Sequence, residues 1–387
     1  MKSMILLGST GSVGTQAADV ARARGYDVRA ICANANVNTV EQQIREFRPA
    51  AAAMASEEAA AELKVRVADL PVKVYSGPDG ICEMIADTPA DVAVNSVIGE
   101  SGLAPTLAVI KSKMPLALAN KESLVIAGDI VMSTAREYGV DVAPVDSEHC
   151  AIDQSLRAGR HEEIKKLIVT ASGGPFFGKK RADLANITAK EALAHPTWKM
   201  GPSITVDSAT LMNKGFEVIE ASKLFGVPSE KIEVLVQRES IIHSLVEYRD
   251  NSLIAQLSVP DMRLCVQYAI ERPARTEAVI EELDLARIGE LHFARPDYET
   301  FVPLRLAREM LAAGGAMTAV LYAANDQAVS MFLGGRIGFL DIMDCLEYVC
   351  AQMPRAAGVS DLDGILECCE EARKLAWEFL ASRVRFI

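Results

Sequence analysis

Three acidic side chains in two segments of the sequence could together hold a divalent metal ion. Asp146 and Glu148 stand two residues apart in the segment VDSEH, residues 145–149. If this segment is extended, both carboxylates lie on the same side of the chain, and carboxylate oxygens are the ligands that Mg²⁺ and Mn²⁺ prefer. Glu217, in the segment VDSATLMNKGFEVIEA, residues 206–221, could complete the set. A solvated charged strand end explains the VDSEH pair equally well.

The segment around Glu217 also carries hydrogen-bond donors that suit a phosphate monoester. Asn213 and Glu217 are four residues apart, so they would share one face of a helix, and Lys214 lies beside them. Lys214, Asn213 and Ser208 offer the N–H and O–H groups that a phosphate binds. An acid beside a phosphate site makes most sense if a metal neutralises it, so the cluster favours a metal–phosphate site. Ordinary helix capping would explain Ser208 but not the whole cluster.

A glycine-rich turn near the N-terminus is typical of dinucleotide binding. Gly8, Gly11 and Gly14 form GSTGSVG after an apolar run and before a helical pattern, so backbone N–H groups could approach a pyrophosphate. The segment CANANV, residues 32–37, has no acid that would hold a ribose 2′-hydroxyl and repel a 2′-phosphate, which favours NADPH. A tight turn without a ligand is the alternative interpretation of the glycines.

Two further segments are typical of loops that close over a reacting molecule. TASGGPF, residues 170–176, is small and glycine-rich and carries the hydroxyl of Ser172. HPTWKMG, residues 195–201, places the imidazole of His195 and the indole of Trp198 in a stretch without periodicity. Either aromatic residue alone would more often be structural, but their position between two polar clusters favours a role in the site.

The elements that must position these residues follow an α/β order in the first domain, residues 1–145. Short apolar runs alternate with helical patterns, which predicts a Rossmann-like, doubly wound parallel sheet covered by helices on both faces. The predicted strands are residues 3–7, 27–32, 50–54, 91–94, 115–118 and 141–145, and the predicted helices include 39–47 and 57–67.

The remaining sequence predicts three further parts. A mixed α+β domain over residues 146–272 is followed by a proline-punctuated connector over 273–302 and a C-terminal α-helical bundle over 303–387. Ser360 and Asp363 resemble a capping box at the start of the last helix. The predicted strands are 231–236, 241–248 and 252–257, and the predicted helices are 303–311, 317–333, 340–352 and 360–381.

Composition disfavours several partners and locations. A formal net charge of −12 makes nucleic acid an unlikely partner, since a duplex would meet net repulsion. No stretch approaches the roughly 18 uncharged apolar residues of a membrane span, and the apolar run at residues 4–7 is short for a signal peptide. The eight cysteines form no CxxC pair, so we expect reduced thiols and a cytoplasmic protein.

In type, order and spacing, these motifs closely resemble the 1-deoxy-D-xylulose 5-phosphate reductoisomerases of the non-mevalonate isoprenoid pathway. VDSEH and VDSATLMNKG are the specific motifs, because GSTGSVG is common to many dinucleotide folds. The resemblance runs over essentially the whole chain, with the C-terminal helices matching by pattern more than by motif. The other matching motifs are LANKESLV (118–125), TASGGPF, HPTWKMG, IIHSLV (241–246) and PDMR (260–263).

The resemblance implies an enzyme that uses NADPH and a divalent metal ion and that forms a homodimer joined mainly through the central domains. A metal-assisted rearrangement of the sugar phosphate 1-deoxy-D-xylulose 5-phosphate would give an aldehyde. The nicotinamide hydride would then reduce this aldehyde to 2-C-methyl-D-erythritol 4-phosphate.

The matching motifs also imply roles residue by residue. The metal, Mg²⁺ or Mn²⁺, would be held by Asp146, Glu148 and Glu217. The catalytic residues would be Lys121, Asp146, Glu148, His149, His195, Glu217 and His243, where the individual roles of His149 and His243 stay open. The substrate would contact Lys121, Ser147, Glu148, Ser172, His195, Trp198, Ser208, Asn213, Lys214 and Glu217. The NADPH site would be lined by Thr10, Gly11, Ser12, Val13, Asn34, Ala35, Asn36, Asn120, Glu122 and Gly201.

The sequence departs from the pattern of the family in three segments. Asn34 and Ala35 stand where many relatives have Gly followed by Lys or another polar residue, which bears on NADPH affinity. Phe177 stands where the family usually places Arg, and the basic residues 179–181 are candidates to supply that charge. Cys265 replaces a usual proline and has no evident catalytic role.

Two other functions are compatible with parts of the sequence. A semialdehyde-type dehydrogenase would use Cys150 as a nucleophile beside His149 without a metal, but this scheme leaves the carboxylates without a role. An NADP-binding protein on an inactive enzyme scaffold would bind the nucleotide without turnover. The complete set of polar residues for a metal–phosphate site argues against the second alternative.

Overall fold

The computed structural model describes residues 2–198 and 200–384, and the chain divides into two units. The first unit comprises Met1–Ser123, Val131–Cys150 and Asp261–Glu281, and the second comprises Leu124–Ile130, Ala151–Pro260 and Glu282–Ile387. Both units are assembled from separate stretches of chain. The four linear domains expected from the sequence therefore stay a prediction.

A seven-stranded sheet organises the first unit. The strands are all parallel and follow the order β4-β3-β2-β1-β5-β6-β7, so the direction of winding reverses between β1 and β5. The predicted doubly wound α/β fold is thus confirmed. The strands are β1 (Ser3–Leu7), β2 (Asp27–Ala33), β3 (Ala51–Met54), β4 (Lys73–Ser76), β5 (Val92–Asn95), β6 (Leu116–Leu118) and β7 (Val142–Pro144).

The predicted strands are confirmed to within two residues at each end, and β4 is the one that the sequence did not predict. Strands β1, β3, β5, β6 and β7 are buried along their whole length, which gives continuous apolar runs that are easy to find. Strand β4 lies at the edge of the sheet, where only Tyr75 is buried. Its sequence KVYS therefore carries little hydrophobic signal.

A mixed five-stranded sheet organises the second unit, in the order β11-β10-β8-β9-β12. Strands β8 and β9 are parallel, whereas the other neighbours are antiparallel. The sequence did not predict β8, in which two lysines follow the first residue, or β12, which has only two residues. The strands are β8 (Ile164–Ala171), β9 (Ile232–Gln237), β10 (Ile242–Tyr248), β11 (Leu253–Leu257) and β12 (Phe293–Ala294).

The helices cover the two sheets and form the helical C-terminal region that the sequence predicts. They are α1 (Ser12–Arg24), α2 (Val37–Phe47), α3 (Glu57–Arg66), α4 (Gly77–Asp87), α5 (Leu103–Lys111), α6 (Glu122–Tyr138), α7 (Ser147–Leu156), α8 (Ala189–Ala192), α9 (Pro202–Ala209), α10 (Met212–Phe225), α11 (Met262–Glu271), α12 (Leu285–Ile288), α13 (Val302–Ala313), α14 (Met317–Leu333), α15 (Phe339–Gln352) and α16 (Leu362–Ala381). Within the described part of the chain, no helix is both long enough and apolar enough to cross a bilayer.

Two local expectations at the C-terminal end are corrected. The N-cap of α16 is Asp361, whose side chain accepts from the Gly364 N–H at 2.9 Å, so the predicted box of Ser360 and Asp363 is wrong. The helix begins later than expected, at Leu362, which places Asp361 at the capping position. The predicted connector is not wholly irregular, because it contains α12 and β12, and the last three residues of the predicted bundle, 385–387, lie outside the described residues.

Candidate functional site

The predicted nucleotide and carboxylate residues of the first unit follow the carboxyl ends of its strands. The glycine turn follows β1, residues 34–36 follow β2, residues 120–122 follow β6 and Asp146 follows β7. Because these strands are parallel, their carboxyl ends lie along one edge of the sheet. Ligands of doubly wound folds bind at this edge, at the point where the strand order reverses.

Two glycines of the turn are required by its own packing, and the third is not. Gly8 has a φ of +79°, and a Cβ there would lie 2.6 Å from the Ser96 carbonyl oxygen. A Cβ on Gly14 would lie 2.1 Å from the Gly8 carbonyl oxygen. At Gly11, by contrast, the nearest described atom is the Gly8 oxygen at 3.5 Å. A tight turn thus accounts for Gly8 and Gly14, whereas Gly11 leaves space at the N-terminus of α1, where N–H groups suit a phosphate.

The remaining predicted cofactor residues differ in their surroundings. Asn34 and Ala35 are exposed after β2, whereas Asn36 caps α2 by accepting from the Thr39 N–H at 3.2 Å. Ser12 is exposed and Thr10 and Val13 are half-buried in the glycine turn and the first turn of α1. Gly201 lies in the second unit, at the N-cap of α9.

Asn120 holds the loop that follows β5. Its side-chain amide donates to the carbonyl oxygens of Val97, at 2.8 Å, and Gly99, at 2.9 Å. The same nitrogen lies 2.9 Å from a Glu122 carboxylate oxygen, and the amide oxygen accepts from the Ser123 N–H at 3.1 Å. Asn120 therefore fixes both this loop and the orientation of Glu122.

Lys121, Asp146 and His149 form a buried charged cluster in the first unit. Lys121 Nζ lies 2.6 Å from Asp146 Oδ2, and His149 Nδ1 lies 3.2 Å from Asp146 Oδ1. Burial acts to raise the pKa of Asp146, but Lys121 and His149 outweigh it and hold that pKa well below its ordinary value. Asp146 is therefore ionised at neutral pH and available as an anionic ligand.

The VDSEH segment is not extended, so that expectation is wrong. Helix α7 begins at Ser147, and Asp146 accepts from the Glu148 N–H at 3.3 Å, as an N-capping aspartate does. The two carboxylates nevertheless come together, because an Asp146 oxygen and a Glu148 oxygen lie within 4.8 Å of each other. The Ser147 hydroxyl donates to the second carboxylate, that of Glu148.

In the second unit, α10 brings Asn213, Lys214 and Glu217 together. Asn213 Nδ2 donates to Glu217 Oε1 at 2.6 Å, as the spacing of four residues indicates, and the Lys214 ammonium pairs with the other carboxylate oxygen. Lys214 is 4% exposed and Glu217 is 1% exposed. Charged groups this deeply buried need partners, so the pairing is what permits them here.

Ser208 lies in the last turn of α9, so the alternative that it caps a helix N-terminus is wrong. The chain then turns sharply at Leu211, whose φ is +60°, and α10 begins. A Cβ on Gly174 would lie 2.6 Å from the Ser208 carbonyl oxygen. The glycine thus permits the TASGGPF loop to approach the end of α9 closely.

Ser172 and His195 meet although 23 residues separate them in the sequence. Ser172 Oγ lies 3.1 Å from His195 Nε2. His195 Nδ1 accepts from the backbone N–H groups of Thr197, at 3.2 Å, and Trp198, at 3.0 Å. These two bonds assign the proton of a neutral imidazole to Nε2, which therefore donates to Ser172. Lys199, in the same motif, lies outside the described residues.

Trp198 packs towards His243, with ring centroids 6.3 Å apart. The His243 ring is buried, and its Nε2 lies 2.9 Å from the hydroxyl of Ser258. His243 is therefore held from two sides, by an aromatic ring and by a hydroxyl. Ser258 received no role from the sequence, since a single serine after a strand carries no distinguishing signal.

Sequence reasoning also missed Arg238, in the turn between β9 and β10. Its guanidinium donates to the main-chain carbonyl oxygens of Ser172 and Gly174 and lies over the ring of Phe177. Its position in a tight turn between two apolar strands does not distinguish it from a solvated arginine. Of the basic residues 179–181, Lys180 binds Asp297 at 2.7 Å and Arg181 binds Asp344.

Cys150 is fully buried and packs with Cys265 and Tyr268 in a small cluster of the first unit. A hydrogen bond with Cys150, together with burial, raises the pKa of the Cys265 thiol well above its ordinary value. A nucleophile must be reached by its substrate, so the burial of Cys150 disfavours the semialdehyde-type mechanism.

Family models match three parts of this chain. Residues 4–128 match the model described as 1-deoxy-D-xylulose 5-phosphate reductoisomerase. Residues 142–225 match the model of the 1-deoxy-D-xylulose 5-phosphate reductoisomerase C-terminal domain, and residues 257–375 match that of the DXP reductoisomerase C-terminal domain. Together these matches extend over most of the chain.

Curated proteins and solved structures agree with these matches. The 1-deoxy-D-xylulose 5-phosphate reductoisomerase of Acetivibrio thermocellus is 48% identical over 375 residues, which cover 97% of this chain and 98% of the relative. That of Lachnospira eligens is 49% identical over 350 residues, covering 90% and 92%. The structure of the Zymomonas mobilis enzyme in complex with NADPH has a TM-score of 0.92 at 39% identity, with 98% and 99% of the chains covered. A DOX-P reductoisomerase in complex with NADPH, fosmidomycin and magnesium has a TM-score of 0.91 at 36% identity, with 98% of each chain covered.

Proposed function

The chain belongs to the 1-deoxy-D-xylulose 5-phosphate reductoisomerase family, and from this premise we propose how its own residues share the reaction. It is an NADP-dependent oxidoreductase that uses NADPH and a divalent metal ion. It converts 1-deoxy-D-xylulose 5-phosphate to 2-C-methyl-D-erythritol 4-phosphate in isoprenoid precursor biosynthesis. The observation that carries this function is the match, over nearly the whole chain, to relatives named 1-deoxy-D-xylulose 5-phosphate reductoisomerase.

Asp146, Glu148 and Glu217 are the residues we assign to the metal ion, Mg²⁺ or Mn²⁺. Their donor atoms are carboxylate oxygens, which hard divalent cations prefer. The low pKa of Asp146 and the oxygen of Glu148 within 4.8 Å of it support this assignment in the first unit. In the second unit, support comes from Glu217, which is buried and held by Asn213 and Lys214. When bound, the metal supplies Lewis-acid polarisation of the substrate carbonyl.

In this scheme four residues bind the phosphate end of the substrate, namely Ser172, Ser208, Asn213 and Lys214. The Lys214 ammonium supplies positive charge, and the hydroxyls and the amide supply directed hydrogen bonds. The close approach of Gly174 to the carbonyl oxygen of Ser208 supports a shared role for the two serine-bearing segments.

The other polar residues act on the reacting end of the substrate. Lys121 and Ser147 bind its hydroxyl groups, and the Lys121 ammonium also keeps Asp146 ionised. His195 contacts the substrate, and Trp198 excludes water above it. His149 and His243 are catalytic residues near the reacting centre, and neither is assigned an individual step.

NADPH binds along the carboxyl edge of the parallel sheet in the domain of residues 1–145. The open space at Gly11 and the N-terminus of α1 support a pyrophosphate site there. The catalytic domain then comprises residues 146–272, the connector 273–302 and the helical bundle 303–387. The residues assigned to NADPH are Thr10, Gly11, Ser12, Val13, Asn34, Ala35, Asn36, Asn120, Glu122 and Gly201.

The enzyme acts as a homodimer, and the edge strand β11 supports this assembly. Strand β11 ends the mixed sheet and exposes Leu253 and Ile254, with 54% and 36% of their surfaces accessible. Apolar side chains on a sheet edge favour pairing with a second copy of the chain. We place the enzyme in the cytoplasm, because all eight cysteines are free thiols.

The experiment that tests the function follows NADPH absorbance with the purified protein and 1-deoxy-D-xylulose 5-phosphate. Mg²⁺ or Mn²⁺ is present first and is then removed with EDTA. Oxidation of NADPH that requires the metal supports the function. Binding of NADPH without oxidation would indicate the inactive scaffold instead, and a failure to bind NADPH would contradict the assignment of the first domain.

A further inference from the structure

Arg238 contacts the TASGGPF loop at more than one point. From Nη1 the guanidinium donates to the main-chain carbonyl oxygen of Ser172 and, at 3.1 Å, to that of Gly174. The centre of the guanidinium lies 4.8 Å from the ring centroid of Phe177. Arg238 thereby connects the start of this loop to the residue that follows it.

The loop needs an external contact of this kind because its backbone is unusual. Gly173 and Gly174 have φ angles of +80° and +66°, a region that L side chains rarely adopt. A Cβ on Gly173 would lie 3.0 Å from the Phe177 ring and 3.1 Å from Arg238 Nη1. Two consecutive glycines give an unbound loop much conformational freedom, so the guanidinium packed against them restricts it.

The guanidinium of Arg238 also places a positive charge next to the loop. Burial lowers the pKa of the guanidinium, but arginine remains protonated at neutral pH. Among the residues that the structure describes, Arg238 forms no ion pair with a carboxylate, and its hydrogen bonds go to neutral carbonyl groups. The neighbouring Glu239 carboxylate stabilises the charged guanidinium electrostatically without forming an ion pair with it, so the loop retains the positive charge of Arg238.

We propose that Arg238 is a positioning residue for the substrate phosphate: it clamps the loop so that Ser172 Oγ stays 3.1 Å from His195 Nε2, and it adds positive charge there. This inference rests on the proposed function, in which Ser172 binds the phosphate end of the substrate. A loop released from Arg238 would leave the hydroxyl of Ser172 misplaced, and small displacements of a binding group are costly.

The first test replaces Arg238 by Met or Lys and measures KM and kcat for 1-deoxy-D-xylulose 5-phosphate with NADPH and Mg²⁺. Arg238→Met removes the charge and both hydrogen bonds, so KM should rise about tenfold or more, with a smaller change in kcat. Arg238→Lys keeps the charge and one donor nitrogen but loses the planar guanidinium that lies over the Phe177 ring, so KM should rise less. Binding of NADPH, measured by fluorescence, should stay within about twofold of the wild type.

Arg308→Met is the matched control. Arg308 also donates to two main-chain carbonyl oxygens in the second unit, those of Ser229, at 2.9 Å, and Ile232. It has no role in the proposed site. Its replacement should lower thermal stability without raising KM, which separates positioning of the substrate from a general loss of stability.

A double-mutant cycle with Ser172→Ala tests whether Arg238 acts through the loop. If it does, Arg238→Met should raise KM much less when the Ser172 hydroxyl has already been removed, because the effects of substitutions at coupled residues are not additive. The same rise in both backgrounds, or a KM for Arg238→Met within about twofold of the wild type, would overturn the proposal. If Arg238→Met does not fold, the same comparison of KM is made with Arg238→Lys, once in the wild type and once in Ser172→Ala.

The outcomes also separate this inference from the proposed function on which it rests. An unchanged KM in Ser172→Ala would remove the phosphate role of Ser172, and the inference would fall with it. A raised KM in Ser172→Ala beside an unchanged KM in Arg238→Met would overturn the role of Arg238 alone.

Discussion

At the scale of single residues, the buried carboxylates of the site are each paired with a lysine of the same unit. Lys121 pairs with Asp146, and Lys214 pairs with Glu217. Burial of an unpaired charge costs several kcal/mol, so each carboxylate needs its lysine partner when no ligand is bound. A metal ion and a phosphate group would then each meet a charge of the opposite sign that is already in place.

Glu217→Gln and Asp146→Asn should each abolish turnover, because each removes an anionic oxygen from the proposed metal site. We expect kcat to fall by at least about 100-fold, while NADPH binding stays close to that of the wild type. NADPH oxidation and NADPH fluorescence measure the two effects. Glu230→Gln, at an exposed position, is the control. Unchanged turnover in either variant would refute the assignment of that residue to the metal.

Lys214→Ala should chiefly raise KM for the sugar phosphate, because it removes the cation assigned to the phosphate. A rise of about tenfold or more is expected, since a charge-assisted hydrogen bond contributes about 1.5–3 kcal/mol. Lys223→Ala, on the same helix, removes a lysine that binds Asp129 at 2.8 Å and should leave KM unchanged. Equal KM values for the Lys214 variant and the wild type would contradict its role.

At the scale of elements, the turn between β1 and α1 separates what the fold requires from what a ligand requires. Gly8 and Gly14 must lack a side chain because main-chain oxygens occupy the space that a Cβ would take. Gly11 meets no such obstacle. The three glycines look alike in the sequence, and their different roles follow from the packing of the turn.

Gly14→Ala should destabilise the protein, whereas Gly11→Ala should weaken NADPH binding. The Cβ of the first variant would clash with the Gly8 carbonyl oxygen, and such overpacking costs about 1–3 kcal/mol. The second variant should change the free energy of unfolding by no more than about 0.5 kcal/mol, while its methyl group obstructs the approach of a pyrophosphate. Urea unfolding and NADPH titration check both effects. Equal NADPH affinity in Gly11→Ala and the wild type would contradict the pyrophosphate site.

The connector is tied to the loop region of the second unit by Asp297. Lys180 and the N–H of Thr300 lower the pKa of this carboxyl from 3.8 to about 2. A carboxyl whose pKa is lower in the folded chain stabilises it above its ordinary pKa, and this contribution is lost as the pH falls towards the folded value. The stabilisation should therefore be complete at neutral pH and decline between about pH 4 and pH 2.

Asp297→Asn should lower the unfolding midpoint in urea at neutral pH. The difference from the wild type should become smaller at about pH 3, because the wild-type carboxyl loses its advantage there. Asp250→Asn is the comparison for a carboxyl whose pKa is lowered by hydrogen bonds from Ser252, and its difference from the wild type should be smaller than that of Asp297→Asn. A difference for Asp297→Asn that stays constant with pH would contradict the assigned pKa.

At the scale of the whole molecule, each unit has its own sheet. The carboxyl edge of one sheet and an edge strand of the other carry the features that bear on function. The parallel sheet carries the predicted nucleotide residues at its carboxyl edge. The mixed sheet ends in β11, which has a strand neighbour on one side among the described residues and exposes Leu253 and Ile254. An apolar edge of this kind favours association with a second copy.

Leu253→Lys combined with Ile254→Lys should convert the proposed homodimer to a monomer, because charges on a paired edge strand oppose association. Sedimentation of the purified protein at micromolar concentration measures the change. Val65→Lys, in which an exposed residue of α3 is replaced, is the control and should stay dimeric. A wild-type monomer, or a variant that remains dimeric, would contradict the proposed edge contact.

The sequence by itself determined the order of elements and the chemical types in the site. Buried strands such as β1 and β5 carry apolar runs, and helices such as α2 carry a helical period, so local composition specifies them. The spacing of Asn213 and Glu217 predicted their contact because four residues make about one helical turn. Local patterns could not reveal β4 or β12, whose short, exposed sequences depend on neighbouring strands.

Only the tertiary structure decided which distant residues meet. The contact of Ser172 with His195, the pairing of Lys121 with Asp146 and the hydrogen bonds of Arg238 to the glycine loop each join residues that are distant in the sequence. A basic residue such as Arg238 has no local period or motif that distinguishes it from a solvated one. Its role follows from two carbonyl groups and a ring that lie more than 60 residues away in the sequence, and packing alone brings them together.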